Sequence, residues 1–246
     1  MWHITQLLEA VPQHLIGADG HPLVGLPTPP AAGARRMFAG GRVWHRRPLV
    51  VGREATRTSR ILTSRETEGR SGHLRFVTVR HEYVQDDELA VRDDHEIVYR
   101  PERPASAPLI GCTGGPGDSG AAGRGTSLRV DPVLLFRFSA LTYNAHRIHY
   151  DRDHARTEGF DDLVIHGPLQ AVLMAEDLRT RGCELLGKVF SYRLLAPAVG
   201  SQTIWARRPG DGGQADVEVA TGEGGVSASG ALAEPDQSDL PGLQPA

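Results

Sequence analysis

The chain has 246 residues, of which 39% are hydrophobic and 23% charged, and it carries a formal net charge of -3. That length can bury one large core or two smaller ones, since domains usually run to about 100 to 200 residues, and the weak net charge gives no bias toward nucleic acid or an anionic membrane surface. Cys112 and Cys183 stand far apart in no CxxC pairing, which argues against a disulfide framework and a thiolate zinc site and suits a reducing cytoplasm.

Met1 to Gln6 lacks the basic region and apolar core of a secretory leader, and no run approaches the ~18 apolar residues that would span a bilayer. Trp2, Ile4, Leu7, Leu8 and Val11 follow helical spacing as far as Pro12, which predicts a short helix over 2–11. The Gly- and Pro-rich stretch from Gly17 to Gly33 reads as a surface loop. From Gly41 the pattern turns β-rich, with Val43, Leu49-Val50-Val51, Ile61, the run 74–84 and the run 89–99. Consecutive strands bounded by turn residues predict an antiparallel meander and exclude a Rossmann arrangement in this half.

Residues 101–126 are rich in Pro, Ala, Ser and Gly and show no apolar period, so the boundary between two units is placed there. The expected organisation is an N-terminal half over 1–102, a linker over 103–126, a C-terminal half over 127–235 and a tail over 236–246. Gly115-Pro116-Gly117-Asp118-Ser119-Gly120 spells GxGxxG, but no helical pattern follows it. Its Gly117-Asp118-Ser119-Gly120 portion is similar to the nucleophile loop of trypsin-like proteases, whose cysteines this chain lacks. Both read better as linker.

Beyond the linker, an apolar helix is expected from Pro168 to about Thr180, followed by strands at 188–195, 201–206, 215–220 and 225–232. Leu169, Ala171, Val172, Leu173, Met174, Ala175 and Leu178 cover most of the helix circumference and leave Glu176, Asp177 and Arg179 as its polar side. A helix apolar on most sides must be enclosed, and a curved antiparallel sheet can enclose it. A faint internal match between 43–52 and 190–200 suggests duplication, although aromatic-basic-Pro-Gly is also a common strand-bend-strand sequence.

Phe136-Arg137-Phe138-Ser139-Ala140-Leu141-Thr142-Tyr143-Asn144-Ala145-His146-Arg147-Ile148-His149-Tyr150-Asp151, followed by Val164-Ile165-His166-Gly167-Pro168-Leu169, resembles the MaoC-like hydratases. Within them the chain is most similar to the type 2 hydroxyacyl-thioester dehydratases and the mesaconyl- and itaconyl-CoA hydratases. Asp19-Gly20-His21-Pro22 and Arg35 to Gly41 resemble the N-terminal half of the same group. The resemblance implies an α+β double hot-dog, each half wrapping a central helix. It further implies a reaction that needs no metal or other cofactor, on an acyl-CoA or acyl-carrier-protein thioester; a homodimer is expected because hot-dog sheets commonly pair, and the cysteine usage suits the cytoplasm. Relatives typically carry further residues ahead of the first helix, so the N-terminal half here is expected to be shortened.

The hydratase pattern D-x-N-P-x-H, counted back from His149, places Asn144 where the pattern has Asp. A second alignment matches Asn144 to the pattern's own Asn, with two residues inserted. Interconversion of a 3-hydroxyacyl and a 2-enoyl thioester needs a base for water, a proton for C2 and stabilisation of the enolate oxygen. His149, with an ordinary pKa of about 6.5, is the expected acid/base. Asn144 is the expected water-positioning group, and the Gly167 N–H, at a helix start, the expected oxyanion donor. Tyr143, His146, His166 and Arg147 are expected to touch substrate, while Tyr192 and Arg193 are given a strand-edge structural role. A metal cluster of His146, His149, Asp151, Asp153 and His154 is disfavoured by the missing HExxH glutamate. Thioester hydrolysis, a cyclase or isomerase reaction and a non-catalytic thioester-binding scaffold remain the alternatives.

Overall fold

A computed structural model describes residues 10–25, 34–69, 72–101, 109–110, 125–222 and 224–236. The helix expected over 2–11 therefore lies almost wholly outside the described residues, as do the GxGxxG segment and most of the linker. Among the described residues nine strands form one antiparallel sheet in the order β2-β3-β4-β1-β6-β9-β8-β7-β5. They are β1 (Ala34–His45), β2 (Thr56–Gly69), β3 (Gly72–Gln85), β4 (Glu88–Pro101), β5 (Thr126–Val130), β6 (Val189–Leu194), β7 (Gln202–Arg207), β8 (Asp216–Ala220) and β9 (Val226–Ala233). The helices α1 (Pro132–Thr142), α2 (Arg152–Thr157) and α3 (Gly167–Thr180) belong to the second half of the chain. The architecture is the expected α+β double hot-dog.

The two halves meet where β1 pairs with β6, with Val43 opposite Phe190 and Trp44 opposite Val189. The faint internal match starts on these strands, with Val43 opposite Phe190, and runs on beyond them into the residues that follow β1 and β6. Val43 and Phe190 are fully buried and join Leu169, Met174 and Leu178 of α3 in one core. Each large apolar side chain enclosed there contributes about 1.5 to 3 kcal/mol, which is why α3 is held inside the curve of the sheet.

Three details depart from the pattern in the sequence. Leu49-Val50-Val51 is a bend between β1 and β2, because the Gln85 side chain accepts from Val50 N at 2.8 Å and donates to Val50 O at 3.2 Å, replacing a neighbouring strand. Asp177 is buried at 1% exposure rather than facing water. Its carboxylate accepts from Thr126 N at 3.1 Å and from Arg181 Nε at 2.8 Å, which ties α3 to β5. Finally, Ile110, inside the expected linker, is docked on the second half: its N–H donates to Gly159 O and its carbonyl accepts from Asp161 N.

Candidate active site

The site grows out of the end of α1. Asp131 caps that helix through Leu134 N at 2.8 Å, and at the other end Tyr143 takes a left-handed conformation with φ 54. The chain reverses there as Asn144 N donates to Ser139 O. Asn144 Oδ1 then accepts from His146 N at 3.1 Å, a local turn in which the amide stands in for backbone. The Asn144 amide nitrogen has no hydrogen-bond partner among the described residues and remains a donor. One short 3-10 turn over Arg147–His149 follows and points His149 inward.

His149 is buried, and its Nδ1 lies 2.7 Å from Val164 O. A carbonyl only accepts, so Nδ1 carries the proton and Nε2 the lone pair. Beneath it the His166 ring stacks at 3.6 Å between centroids and 19° between planes. His166 is fixed in turn by a 2.9 Å hydrogen bond between its Nε2 and Ser139 Oγ, and by the edge of Phe138. His146 meets His149 edge-on at 5.6 Å and lies against His21 at 4.1 Å.

Gly167 opens α3, where its N–H has no intrahelical acceptor. A Cβ on it would lie 2.1 Å from Leu194 Cδ1 and 3.3 Å from Phe38 Cδ1, so the backbone approaches the opposite wall more closely than a side chain would permit. His149, Asn144, His146 and Gly167 all line one cavity of about 250 Å³. The imidazole of the loop and the amide of the enclosed helix thus converge on the same space.

Not every expected ligand contact is there. Tyr143 is 63% exposed and does not line the cavity, because its backbone is spent on the left-handed cap of α1. Arg147 is also absent from the lining. Its guanidinium binds Asp151 Oδ2 at 2.6 Å and Ala18 O at 3.0 Å, and its N–H donates to Asp19 O, so it clasps the 17–21 turn to the loop that carries His149. His166 stacks against His149 and is not part of the lining. With His149 Nδ1 on a carbonyl and Asp151 on Arg147, the alternative metal set is not assembled as ligands.

The first half supplies groups that sequence reasoning left without a role. His21, Arg36, Phe38 and His95 all line the cavity. The available signal was the family-like text of Asp19–Pro22 and Arg35–Gly41. Nothing in either segment says which loop or helix of the other half it will face.

Burial governs the electrostatics. The cost of desolvating a charged ring holds His149 down to about 4, well below the expected 6.5, with the Val164 hydrogen bond opposing that shift. Burial, then the charges of Arg36 and His149, bring His21 to about 3. Burial likewise holds His146 and His166 well below the ordinary range. All four rings are therefore neutral at pH 7. Above about pH 6.5 the folded and unfolded imidazoles are both neutral, and stability is unaffected. As pH falls from 6.5 toward 4 only the unfolded chain takes up protons. Each such ring then lowers stability by up to about 1.4 kcal/mol per pH unit. Urea titrations at pH 7, 6, 5 and 4.5 should show a midpoint that falls steadily below pH 6.5; a flat midpoint would refute the neutral stack.

Residues 2–200 match the family model described as hydroxyacyl-thioester dehydratase type 2. The chain belongs to that family and is an acyl-thioester hydratase/dehydratase, a hydro-lyase acting on a thioester. It is 41% identical over 241 residues to the mesaconyl-C(4)-CoA hydratase of Chloroflexus aurantiacus, covering 95% of this chain and 82% of that one. A 76-residue stretch is 38% identical to the mitochondrial hydroxyacyl-thioester dehydratase type 2 of Schizosaccharomyces pombe, covering 30% of this chain and 25% of that one. In fold it is similar to HtdX of Mycobacterium tuberculosis, with TM-score 0.63 and 20% identity over 85% of this chain and 78% of that one. A MaoC-like dehydratase of Phytophthora capsici aligns with TM-score 0.59 and 15% identity over 87% of this chain and 78% of that one. Among the described residues no helix is long and apolar enough to cross a membrane.

Proposed function

We propose that the chain adds water to a 2-enoyl-CoA, and removes it from the 3-hydroxyacyl-CoA, with His149 as the only proton carrier. In hydration, His149 Nε2 takes a proton from water as the water oxygen attacks C3. The electrons of the double bond move onto the thioester oxygen, where the Gly167 N–H meets the developing charge. The proton on Nε2 then passes to C2, which restores the neutral ring and completes the addition. Asn144 has a free amide donor with which to hold the water. Dehydration runs through the same groups in reverse.

The observation that carries this reading is that a histidine with its Nδ1 anchored to Val164 O shares one cavity with the open N–H at the start of α3. A ring held near 4 is a weaker base than a free imidazole but a stronger acid once protonated, which favours delivery of the proton to C2. Thioester hydrolysis would need a carboxylate at the reacting carbon. Glu176 is bonded to Arg179 and Asp177 to Arg181, and neither lines the cavity, while Glu158, which does line it, is paired with Arg35 at 3.1 Å.

Crotonyl-CoA is the direct probe. Its enoyl-thioester absorbance should fall with formation of 3-hydroxybutyryl-CoA and no release of thiol. Thiol release without loss of the double bond would replace this reading with hydrolysis. Coenzyme A as the carrier, a cytoplasmic location and a homodimer belong to the same proposal, following the CoA thioester of the Chloroflexus relative and the family resemblance. Light scattering that gives a monomer mass would remove the dimer.

A further inference from the structure

The sheet of the first half encloses a carboxylate. Asp93 of β4 is 0% exposed; its Oδ2 accepts from His95 Nε2 at 2.9 Å, while its Oδ1 has no hydrogen-bond partner among the described residues. The two residues stand two apart on one face of the same strand, so this bond joins no two elements of the fold. Enclosing a carboxylate costs stability even when it is paired, and costs more when one oxygen goes unmet. A cost with no structural tie in return points to a group kept for chemistry.

What that carboxylate does is orient a ring. With its Nε2–H given to Asp93, His95 presents Nδ1, which makes no hydrogen bond to any described residue, and the ring lines the cavity. Phe38 and His81 pack against it edge-on, at 5.3 and 4.8 Å between centroids, and His81 Nδ1 is itself engaged by Ser59 Oγ at 2.7 Å. A proton taken up at His95 Nδ1 would be balanced by the Asp93 carboxylate across the ring, the arrangement that lets an imidazole act as a base. Phe38 Cδ1 in turn lies 3.3 Å from where a Cβ of Gly167 would stand, so one aromatic ring separates His95 from the helix amide. Ile97, at 4% exposure, lines the cavity beside His95 on the same face of β4. An acyl chain whose carbonyl meets the Gly167 N–H therefore runs along Phe38 and Ile97 toward His95, while the charged carrier stays at the mouth.

Resting on the hydro-lyase reading for where the thioester carbonyl sits, we propose that Asp93 and His95 form a second acid/base pair, which gives the chain an isomerase activity on 2-enoyl thioesters that carry a hydrogen at C4. His95 Nδ1 takes that hydrogen as a proton. The C4–H electrons form a C3=C4 bond, the electrons of the C2=C3 bond move to C1=C2, and the carbonyl pair goes onto the thioester oxygen, where the Gly167 N–H meets the charge of the dienolate. The same proton set down on C2 gives the 3-enoyl thioester; set down on C4 it regenerates the substrate. No water adds and nothing is oxidised or reduced. His149 takes no part, so the two reactions share a carbonyl site and use proton carriers from opposite halves of the chain.

Crotonyl-CoA in D2O separates the two reactions, because hydration places deuterium on C2 and the isomerisation step places it on C4. With the unsubstituted full chain, NMR of the recovered acyl group should show deuterium in the C4 methyl, and 3-butenoyl-CoA should be converted to crotonyl-CoA. His95→Gln and, independently, Asp93→Asn should lower the ratio of C4 labelling to hydration by roughly 100-fold or more, the scale of a positioned base, with thermal unfolding recorded to show that each variant folds. His149→Gln should reverse the pattern, losing hydration while C4 labelling continues. Hydration by the unsubstituted chain with no deuterium at C4 would overturn the isomerase assignment and leave the hydro-lyase reading intact. An unchanged ratio in folded His95→Gln would overturn it as well, since the C4 proton would then travel through another group. C4 labelling without any hydration would keep the Asp93–His95 pair and remove the hydro-lyase reading instead.

Discussion

Replacing His149 by alanine is expected to lower kcat/KM for hydration by roughly 100- to 10,000-fold, the range that a positioned acid/base supplies. The expected loss is large because His149 is the cavity-lining imidazole whose Nδ1 is anchored to a backbone carbonyl, which leaves Nε2 as the base; His21 and His146 also line the cavity, without such an anchor among the described residues. Asn144 cannot accept a proton at neutral pH, and its side-chain oxygen is already bonded to His146 N. His166 is covered by the His149 ring on one face and held by Ser139. Truncation also removes a ring from a buried stack, so the glutamine variant is needed beside it: His149→Gln keeps most of the volume and a donor for Val164 O but has no basic nitrogen. Both variants should be equally inactive in the absorbance assay, with the glutamine form keeping a Tm close to that of the unsubstituted chain. Full activity in His149→Gln would mean that the proton travels by another route.

Among the described glycines, Gly20→Ala should be the most damaging single-methyl change. Gly20 has φ +91, and a Cβ there would lie 1.7 Å from the carbonyl oxygen of Ala145, a backbone atom that has no rotamer to change. The turn has no slack either. Gly20 N donates to Gly17 O, Asp19 O accepts from Arg147 N, and Ala18 O accepts from the Arg147 guanidinium. The 17–21 turn and the loop carrying His146 and His149 must therefore separate, and the His21–His146 contact opens. A destabilisation of about 2 to 4 kcal/mol is expected, lowering Tm by roughly 5 to 15 °C, together with at least a tenfold fall in activity. Gly52→Ala is the control, because it shares a positive φ of +86 but meets no atom within 4 Å. Equal Tm values for the two variants would show that the Ala145 contact carries none of the effect.

Local rules accounted for much of the architecture. The enclosed helix was legible because Leu169, Leu173, Met174 and Leu178 surround it with apolar surface, and Gly167-Pro168 marks its start. The loop around His149 was legible from its family-like text. Strand β2 was barely legible beyond Ile61: Thr56-Arg57-Thr58-Ser59-Arg60 does not alternate, since the strand lies at the sheet edge with its side chains largely exposed. Leu49-Val50-Val51 misled in the opposite sense. Its β-branched residues suit a strand, yet a single glutamine side chain supplies the hydrogen bonds and no strand is needed. Asp177 reads as a surface carboxylate until Thr126 N and Arg181 are seen beside it. Partnership over such sequence separations leaves no periodic trace, which is also why Tyr143 and Arg147 passed for ligand contacts and His21 and Arg36 went without a role.

The β1–β6 seam divides labour within the pocket. The groups proposed to move the proton in hydration or meet the enolate, His149, Asn144 and Gly167, come from one side of it, while Arg36, Phe38 and His21 arrive from the other. Substitutions along β1 other than at Phe38, which packs against Gly167, would reshape one wall of the pocket while leaving the short turn of His149 and the start of α3 in place, so that pocket shape and the proposed hydration are carried by different segments of the chain.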